Sequence, residues 1–287
     1  MDRWTIRRVL AWMREDFAER GIESARLDAE LLVGMALSLD RVRLYMDLDR
    51  PLQPDELKAI RELVKRRRER EPVAYILGRR EFWSRPFEVS PAVLIPRPET
   101  ETLVERALEL LVPDADGRAL DLCTGSGAIG VTLAAERPGI EVDLTDRSAE
   151  ALAVARRNAE RLGVSARVRF FEGDLFAPLP RDARYRLVVC NPPYVSAEEH
   201  EDLAPDVRDH EPREALVPGP TGTEILDRLV TETERFLEPG GTLLVEVGAG
   251  QAEALAEAFR AEPWVEAALW MEDLSGIPRA VEVRAAA

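Results

Sequence analysis

Ile6, Val9, Leu10, Met13 and Phe17 recur at spacings of three and four, which lines one face of an α-helix with apolar side chains. Ser24 stands where it can cap a second helix carrying Leu27, Leu31, Leu32 and Met35. Pro54 and Asp55 suit the first turn of another, with Leu57, Ile60 and Val64 turned inward. Residues 1–75 are therefore expected to form a bundle of four or five short helices. The bundle carries no chemistry of its own, and docking a partner is the work left to it. Over residues 76–95 the pattern shortens: Phe82-Trp83, Phe87, Val89 and Val93-Leu94-Ile95 fall between the turn formers Gly78, Pro86, Ser90 and Pro91, which predicts a β-hairpin linker. From Pro96 to residue 287, short apolar runs alternate with helical periods. That order calls for an α/β domain with a mostly parallel sheet covered by helices on both faces. The expected strands are Ala119–Cys123, Glu141–Thr145, Arg167–Phe171, Leu187–Cys190 and Thr242–Val247. Helices are expected near 128–137 and 148–161, and an antiparallel pair near 265–272 and 280–284 at one edge.

Charge changes this picture in one respect. The 287 residues carry a net charge of −15, unevenly shared. Residues 1–75 hold 16 Lys+Arg against 15 Asp+Glu, so residues 76–287 hold 23 against 39, a balance of −16. An acidic lobe of that size repels phosphates and disfavours a naked nucleic acid substrate. The run Lys65-Arg66-Arg67-Arg68-Glu69-Arg70 is either a local basic patch or a solvated helix face. No stretch is long and apolar enough to cross a membrane, and the amino terminus lacks the apolar core of a signal peptide. Cys123 and Cys190 each lie in an apolar run, as buried thiols of a reducing compartment do. His200 and His210 are too sparse for a metal site. A cytoplasmic protein is expected.

Asp121-Leu122-Cys123-Thr124-Gly125-Ser126-Gly127 follows the first expected strand and opens a helix. Glycines at 125 and 127 let the backbone turn tightly and approach a ligand closely. The second strand ends in Asp146, 21 residues after Gly125, where a carboxylate accepts hydrogen bonds from both hydroxyls of a ribose. A third glycine and a phosphate-binding extension are missing, which favours the methionyl arm of S-adenosylmethionine over a dinucleotide. At the end of the third strand, Asp174 can accept from an adenine amino group while Leu175 covers the ring.

The fourth strand ends in Asn191-Pro192-Pro193-Tyr194. At that place the tetrapeptide suits transfer of a methyl group to a planar nitrogen whose lone pair is delocalised. Such a nitrogen needs one acceptor for each N–H, so that its remaining lone-pair direction points at the methyl carbon. The Asn191 side-chain carbonyl and the Pro192 main-chain carbonyl can supply both acceptors. Prolines stiffen the arrangement and Tyr194 offers a face for a flat group. Most of the expected gain is positioning.

Which nitrogen is meant follows from resemblance. Arg70–Trp83 (REPVAYILGRREFW), Ser90–Thr100 (SPAVLIPRPET), the two motifs above, His210–Leu216 followed by Gly222, and Asp273–Val281 (DLSGIPRAV) resemble the PrmC/HemK family from about residue 5 to residue 284. That family comprises the peptide chain release factor N5-glutamine methyltransferases. The resemblance implies a Rossmann-like S-adenosylmethionine methyltransferase sheet behind a small N-terminal helical bundle that grips the protein substrate. The implied substrate is the glutamine of the Gly-Gly-Gln motif in class I release factors. Carried over by position, Cys123–Gly127 (with Thr124 and Ser126), Asp146, Leu175 and Asn191 would bind the cofactor, and Asn191 to Tyr194 the glutamine. Cys123 stands where many members have Gly, and Leu175 where some have Trp, so altered adenine packing is expected.

Arg97 and Glu99 either close the site or begin a helix, and Glu246, at the end of the fifth strand, is a candidate for facing the pocket. Two rival substrates remain. The glutamine methyltransferase of ribosomal protein L3 shares the DLCTGSG and NPPYV stretches, and nucleic acid amino-group methyltransferases share Asn-Pro-Pro-aromatic. The PRPE and SGIPRAV segments favour the release-factor enzymes.

Overall fold

The structure is a computed structural model that describes residues 3–114, 116–273 and 275–287. Leu274 of the DLSGIPRAV segment and the first two residues of the chain lie outside the described residues. Two compact units divide it. The first gathers the chain up to Gly78 together with Ala204–His210, and the second holds Arg79–Leu203 with Glu211–Ala287.

The first unit contains α1 (Ile6–Glu19), α2 (Ala25–Leu37), α3 (Arg41–Met46), α4 (Pro54–Arg68) and α5 (Val73–Leu77). On α1 the predicted face is buried through Ile6, Val9, Met13 and Phe17, and the helix is capped by Thr5, which accepts from the Arg8 N–H. The face of α2 differs from expectation. Leu27 and Met35 are exposed, while Ala25, Ala29, Leu32 and Val33 turn inward. Ser24 precedes the helix without accepting a capping bond. Apolar residues surround α2 on several sides, so spacing alone does not choose a face, and two buried carboxylates decide it. Asp28 meets Arg67, and Glu30 accepts from Arg26, Arg41 and Tyr45.

The arginine run is consumed by carboxylates of the same unit instead of forming a free basic patch. Arg66 pairs with Glu71, Arg68 with Asp16, and Arg70 with Asp206. Arg67, 3% exposed, bridges Asp28 at 2.8 Å and Asp206 at 2.6 Å. Removing the cation leaves Asp28 buried without its partner. Arg67→Leu is therefore expected to destabilise the protein by about 3–5 kcal/mol, read as a lowered urea midpoint by circular dichroism.

The second unit begins with β1 (Arg79–Phe82) and β2 (Arg85–Glu88), an antiparallel hairpin. The hairpin is shorter than the 76–95 pattern suggested: Val73–Leu77 is helical, and Val93-Leu94-Ile95 forms no strand. Phe82 and Phe87 are buried in the core beside Leu103, Val104 and Ala107. A short turn at Pro98–Thr100 then leads into α6 (Glu101–Leu110), so the PRPE segment does begin a helix.

Next come β3 (Gly117–Leu122), α7 (Ala128–Glu136), β4 (Ile140–Asp146), α8 (Ala149–Arg161), β5 (Val168–Glu172) and β6 (Tyr185–Cys190). The chain continues through α9 (Ala197–Glu201), α10 (Pro205–Arg208, in the first unit), α11 (Glu224–Glu232), β7 (Leu237–Glu246), α12 (Ala252–Arg260), β8 (Val265–Glu272) and β9 (Pro278–Ala285). The sheet runs β5-β4-β3-β6-β7-β9-β8, parallel up to β7 and antiparallel at β9 and β8. Its central strands are apolar on both faces, as a doubly covered parallel sheet requires. Leu120, Leu122, Val188 and Cys190 face one core, and Ala119, Leu187 and Val189 the other. The order reverses between β4-β3 and β6, and at such a switch the carboxyl ends of the strands leave a crevice. Among the described residues, no helix is long and apolar enough to cross a membrane.

Candidate active site

The crevice is a cleft of about 860 Å3 at the ends of β3, β4, β5 and β6. A smaller one of about 410 Å3 adjoins it, sharing Leu94, Cys123, Gly125 and Asn191. Asp146 organises the mouth of the larger cleft. One carboxylate oxygen accepts from the Gly125 N–H at 2.9 Å and the other from the Ser148 N–H at 2.9 Å. Burial raises its pKa, and these two backbone donors oppose that shift. A carboxylate offers about four acceptor directions, so room remains for hydroxyl donors.

The glycine loop owes its shape to left-handed backbone at Cys123 (φ 55°), Gly125 (φ 54°) and Gly127 (φ 80°). A Cβ on Gly127 would lie 3.0 Å from Val131 and 3.1 Å from Ala155, whereas one on Gly125 would meet only open space. Thr124 and Ser126 line the smaller cleft, and the Ser126 carbonyl accepts from Asn158. Cys123 adopts a conformation that glycine takes without strain, which is the physical sense of its departure from the family pattern. Leu175, the other departure, is left-handed as well (φ 47°) and buried at the cleft wall. Asp174 lies on the rim, with one oxygen held by Arg228 at 2.8 Å.

Asn191 lines both clefts. Its side-chain Nδ2 donates to Thr100 Oγ1 at 3.2 Å, and Thr100 Oγ1 donates to Glu246 Oε2 at 2.7 Å. Pro193 lines the larger cleft, and Pro192 is buried. The Tyr194 hydroxyl donates to Glu246 Oε1 at 3.2 Å, so it stays a phenol, its pKa raised by burial and by Glu246. Glu246 is therefore brought to the tetrapeptide, but from behind. It is 3% exposed, its two oxygens accept from Thr100 and Tyr194, and it lines neither cleft. Arg97 lines the smaller cleft and is anchored by Glu211 at 2.5 Å, while Glu211 also accepts from the Ile95 N–H.

Three residues given no role on sequence grounds complete the site. Asp121 is 1% exposed at the smaller cleft, where Oδ2 accepts from Thr124 and from the Gly130 N–H. Its Oδ1 has no partner, and burial pushes its pKa up to about 7. Thr100 links Asn191 to Glu246, and Gln251 Nε2 donates to the Tyr194 carbonyl at 3.0 Å. Asp121 opens and Thr100 ends a segment whose pattern is recognisable in the sequence. Gln251 carries no local signal. Gly222 (φ 82°) lies against the same loop: a Cβ there would be 2.7 Å from the Tyr194 carbonyl oxygen. Gly222→Val is expected to displace the tetrapeptide and lower activity at least tenfold, checked by methyl transfer at saturating substrate.

Known proteins resemble this chain over nearly its full length. The family model described as PrmC N-terminal domain matches residues 8–78, and that described as Methyltransferase small domain matches residues 100–211. The release factor glutamine methyltransferase of Geobacter sulfurreducens is 48% identical over 278 residues, 97% of this chain and 96% of its own. The chain belongs to the release factor glutamine methyltransferases. A second member, from Nitratidesulfovibrio vulgaris, is 41% identical over 98% of this chain and 95% of its own. A methyltransferase of Pyrococcus furiosus shares the fold, with a TM-score of 0.52 at 16% identity over 71% of this chain and 91% of its own. The family resemblance drawn from the sequence segments is thus borne out, as is the Rossmann-like methyltransferase sheet. Like other release factor glutamine methyltransferases, the chain is an S-adenosylmethionine-dependent enzyme.

Its residues fit that methyl donor. Asp146 offers free acceptor directions at the cleft mouth, and the orphaned Asp121 Oδ1 awaits a donor or a cation.

Proposed function

We propose that the protein transfers a methyl group from S-adenosylmethionine to the side-chain nitrogen N5 of the glutamine in the Gly-Gly-Gln motif of class I release factors. The single observation that carries this reading is the fixed amide of Asn191. With Nδ2 engaged by Thr100 at 3.2 Å, Oδ1 is left to accept an N–H. The Pro192 main-chain carbonyl accepts the second, and Tyr194 packs against the flat carboxamide. The donor supplies a methyl carbon on a sulfonium whose leaving group is a neutral thioether. The Asn191 and Pro192 acceptors would turn the glutamine nitrogen's lone pair toward that carbon, and the nitrogen's surplus proton would pass to solvent. The protein's part is to orient the nitrogen and exclude water, not to supply a strong base.

Cys123, Thr124, Gly125, Ser126, Gly127, Asp146, Asp174 and Leu175 hold the donor in this reading, joined by Asp121. Asn191, Pro192, Pro193 and Tyr194 hold the glutamine, and Arg97 sits beside them. The helical unit of the first 78 residues serves to dock the release factor. A protein substrate without membrane or nucleic acid, met in the cytoplasm, fits the −16 balance of residues 76–287 and the pairing of the arginine run.

The test is to incubate the protein and S-adenosylmethionine separately with a release factor, with ribosomal protein L3 and with DNA, and to map the added CH2 by mass spectrometry. The modification is expected on the release-factor glutamine alone. Label on L3 alone, or on DNA, overturns the reading.

A further inference from the structure

We infer that Thr100 and Glu246 form a polarity-setting pair, which fixes which end of the Asn191 amide faces the substrate and thereby selects a carboxamide over a carboxylate. This rests on the glutamine reading above and deepens it.

The two ends of an asparagine amide are nearly equal in size and opposite in hydrogen-bonding sense, so only the partners decide its orientation. Here the decision starts two residues away. Glu246 is 3% exposed, and two hydroxyls converge on it: Thr100 Oγ1 at 2.7 Å on one oxygen and Tyr194 OH at 3.2 Å on the other. Thr100 owns one hydroxyl proton, and Glu246 receives it. Oγ1 can then only accept from Asn191, which turns Nδ2 toward it at 3.2 Å and leaves Oδ1 for the cleft. The opposite orientation would set Oδ1 against an oxygen with no proton to share, a loss of about tenfold or more in population. A glutamine N–H finds an acceptor at Oδ1, whereas a glutamate carboxylate would meet like charge density there. Glu246 thus acts through Thr100 as a positioning residue and touches no substrate.

The chemistry can be reversed almost isosterically. In Glu246→Gln, the new amide can accept from Tyr194 and donate to Thr100 Oγ1, which frees the threonine proton to bond Asn191 Oδ1 and turns Nδ2 into the cleft. Thr100→Val removes the relay and lets the amide take either orientation, while Thr100→Ser keeps the hydroxyl.

The experiment uses the full chain and a whole release factor in two forms, with glutamine or with glutamate at the methylated position. The glutamine form gives kcat and KM, and the glutamate form gives an inhibition constant. In Glu246→Gln, kcat is expected to fall about tenfold to a hundredfold, and the glutamate form to bind at least about tenfold more tightly than to the parent protein. Affinity for S-adenosylhomocysteine should not change. Thr100→Val should follow in the same direction, and Thr100→Ser should recover most of its loss. Loss of kcat with an unchanged glutamine-to-glutamate preference in both Glu246→Gln and Thr100→Val would mark a merely structural role and overturn the inference, as would parental kcat in both. If Glu246→Gln does not fold, the valine and serine variants decide alone. A parent protein that leaves release-factor glutamine unmodified refutes the glutamine reading itself, a result separable from failure of the variants.

Discussion

Asn191→Ala is expected to lower kcat by about two to three orders of magnitude, the usual scale for removing one fixed polar group that meets the reacting centre. The side chain is half-buried and contributes no core packing, so the thermal midpoint should move little. What disappears, in the proposed reading, is the acceptor for one N–H of the substrate nitrogen. Without it, the carboxamide rotates freely and its lone-pair direction no longer points at the methyl carbon. The measurement is single-turnover methyl transfer to a release factor at saturating S-adenosylmethionine. A variant within threefold of the parent would remove Asn191 from the reaction. Asn191→Asp should be equally impaired: its geometry is kept, but a carboxylate beside Thr100 and Glu246 competes for the same proton.

The second large effect concerns Asp121 and pH. Burial lifts this carboxyl to about 7, and its Oδ1 has no partner in the smaller cleft. The methionyl arm of the donor carries an ammonium group, and a cation beside Oδ1 favours the ionised form. Donor binding should therefore expel a proton when the pH lies below about 7. The apparent affinity for S-adenosylmethionine is expected to rise as pH increases from about 5.5 to 7, approaching tenfold per unit, and to level off above that. Calorimetry in two buffers of different ionisation enthalpy reads the proton release directly. Asp121→Asn should flatten the profile and weaken binding about tenfold to a hundredfold. A parent profile that is already flat would exclude Asp121 as the ammonium's partner. The sign for stability is opposite. A carboxyl whose folded pKa is raised contributes stability that is fully present below its unfolded value, near 3.9, and is lost as pH rises through about 7. Without donor the protein should accordingly lose part of its urea resistance between about pH 5 and pH 8, and saturating donor should restore it.

Much of this molecule was readable in its sequence, for a physical reason. Central parallel strands are buried on both faces, and short apolar stretches such as Leu187–Cys190 and Leu243–Val245 mark two of them. The cleft's lining was legible in the loop at Cys123–Gly127, the carboxylate at Asp146 and the tetrapeptide after β6, which all stand at strand ends that meet there. Periodicity does not reveal partners far away along the chain. Thr100 meets Asn191 across 91 positions and Glu246 across 146, and Arg67 meets Asp206 across 139. Neither segment of such a pair hints at the other. Glu246 was therefore expected to face the pocket, whereas it supports the pocket through Thr100 and Tyr194. The same limit bears on α2, where the buried pair of Asp28 with Arg67, 39 positions on, helps outweigh the leucine pattern.

The membership of Ala204–His210 in the helical unit bears on how the protein is made. At Gly78 the ribosome has delivered α1 to α5 of that unit, but α10 is still to come, Arg70 lacks Asp206, and of its two carboxylates buried Arg67 has only Asp28. The missing carboxylate arrives more than 120 residues later, about 6–25 seconds at ordinary elongation speeds. During that interval Arg67 and Arg70 stand with less counter-charge than in the finished protein. The helical unit precedes the sheet along the chain, yet it is closed only after β3 to β6 of the sheet have been made.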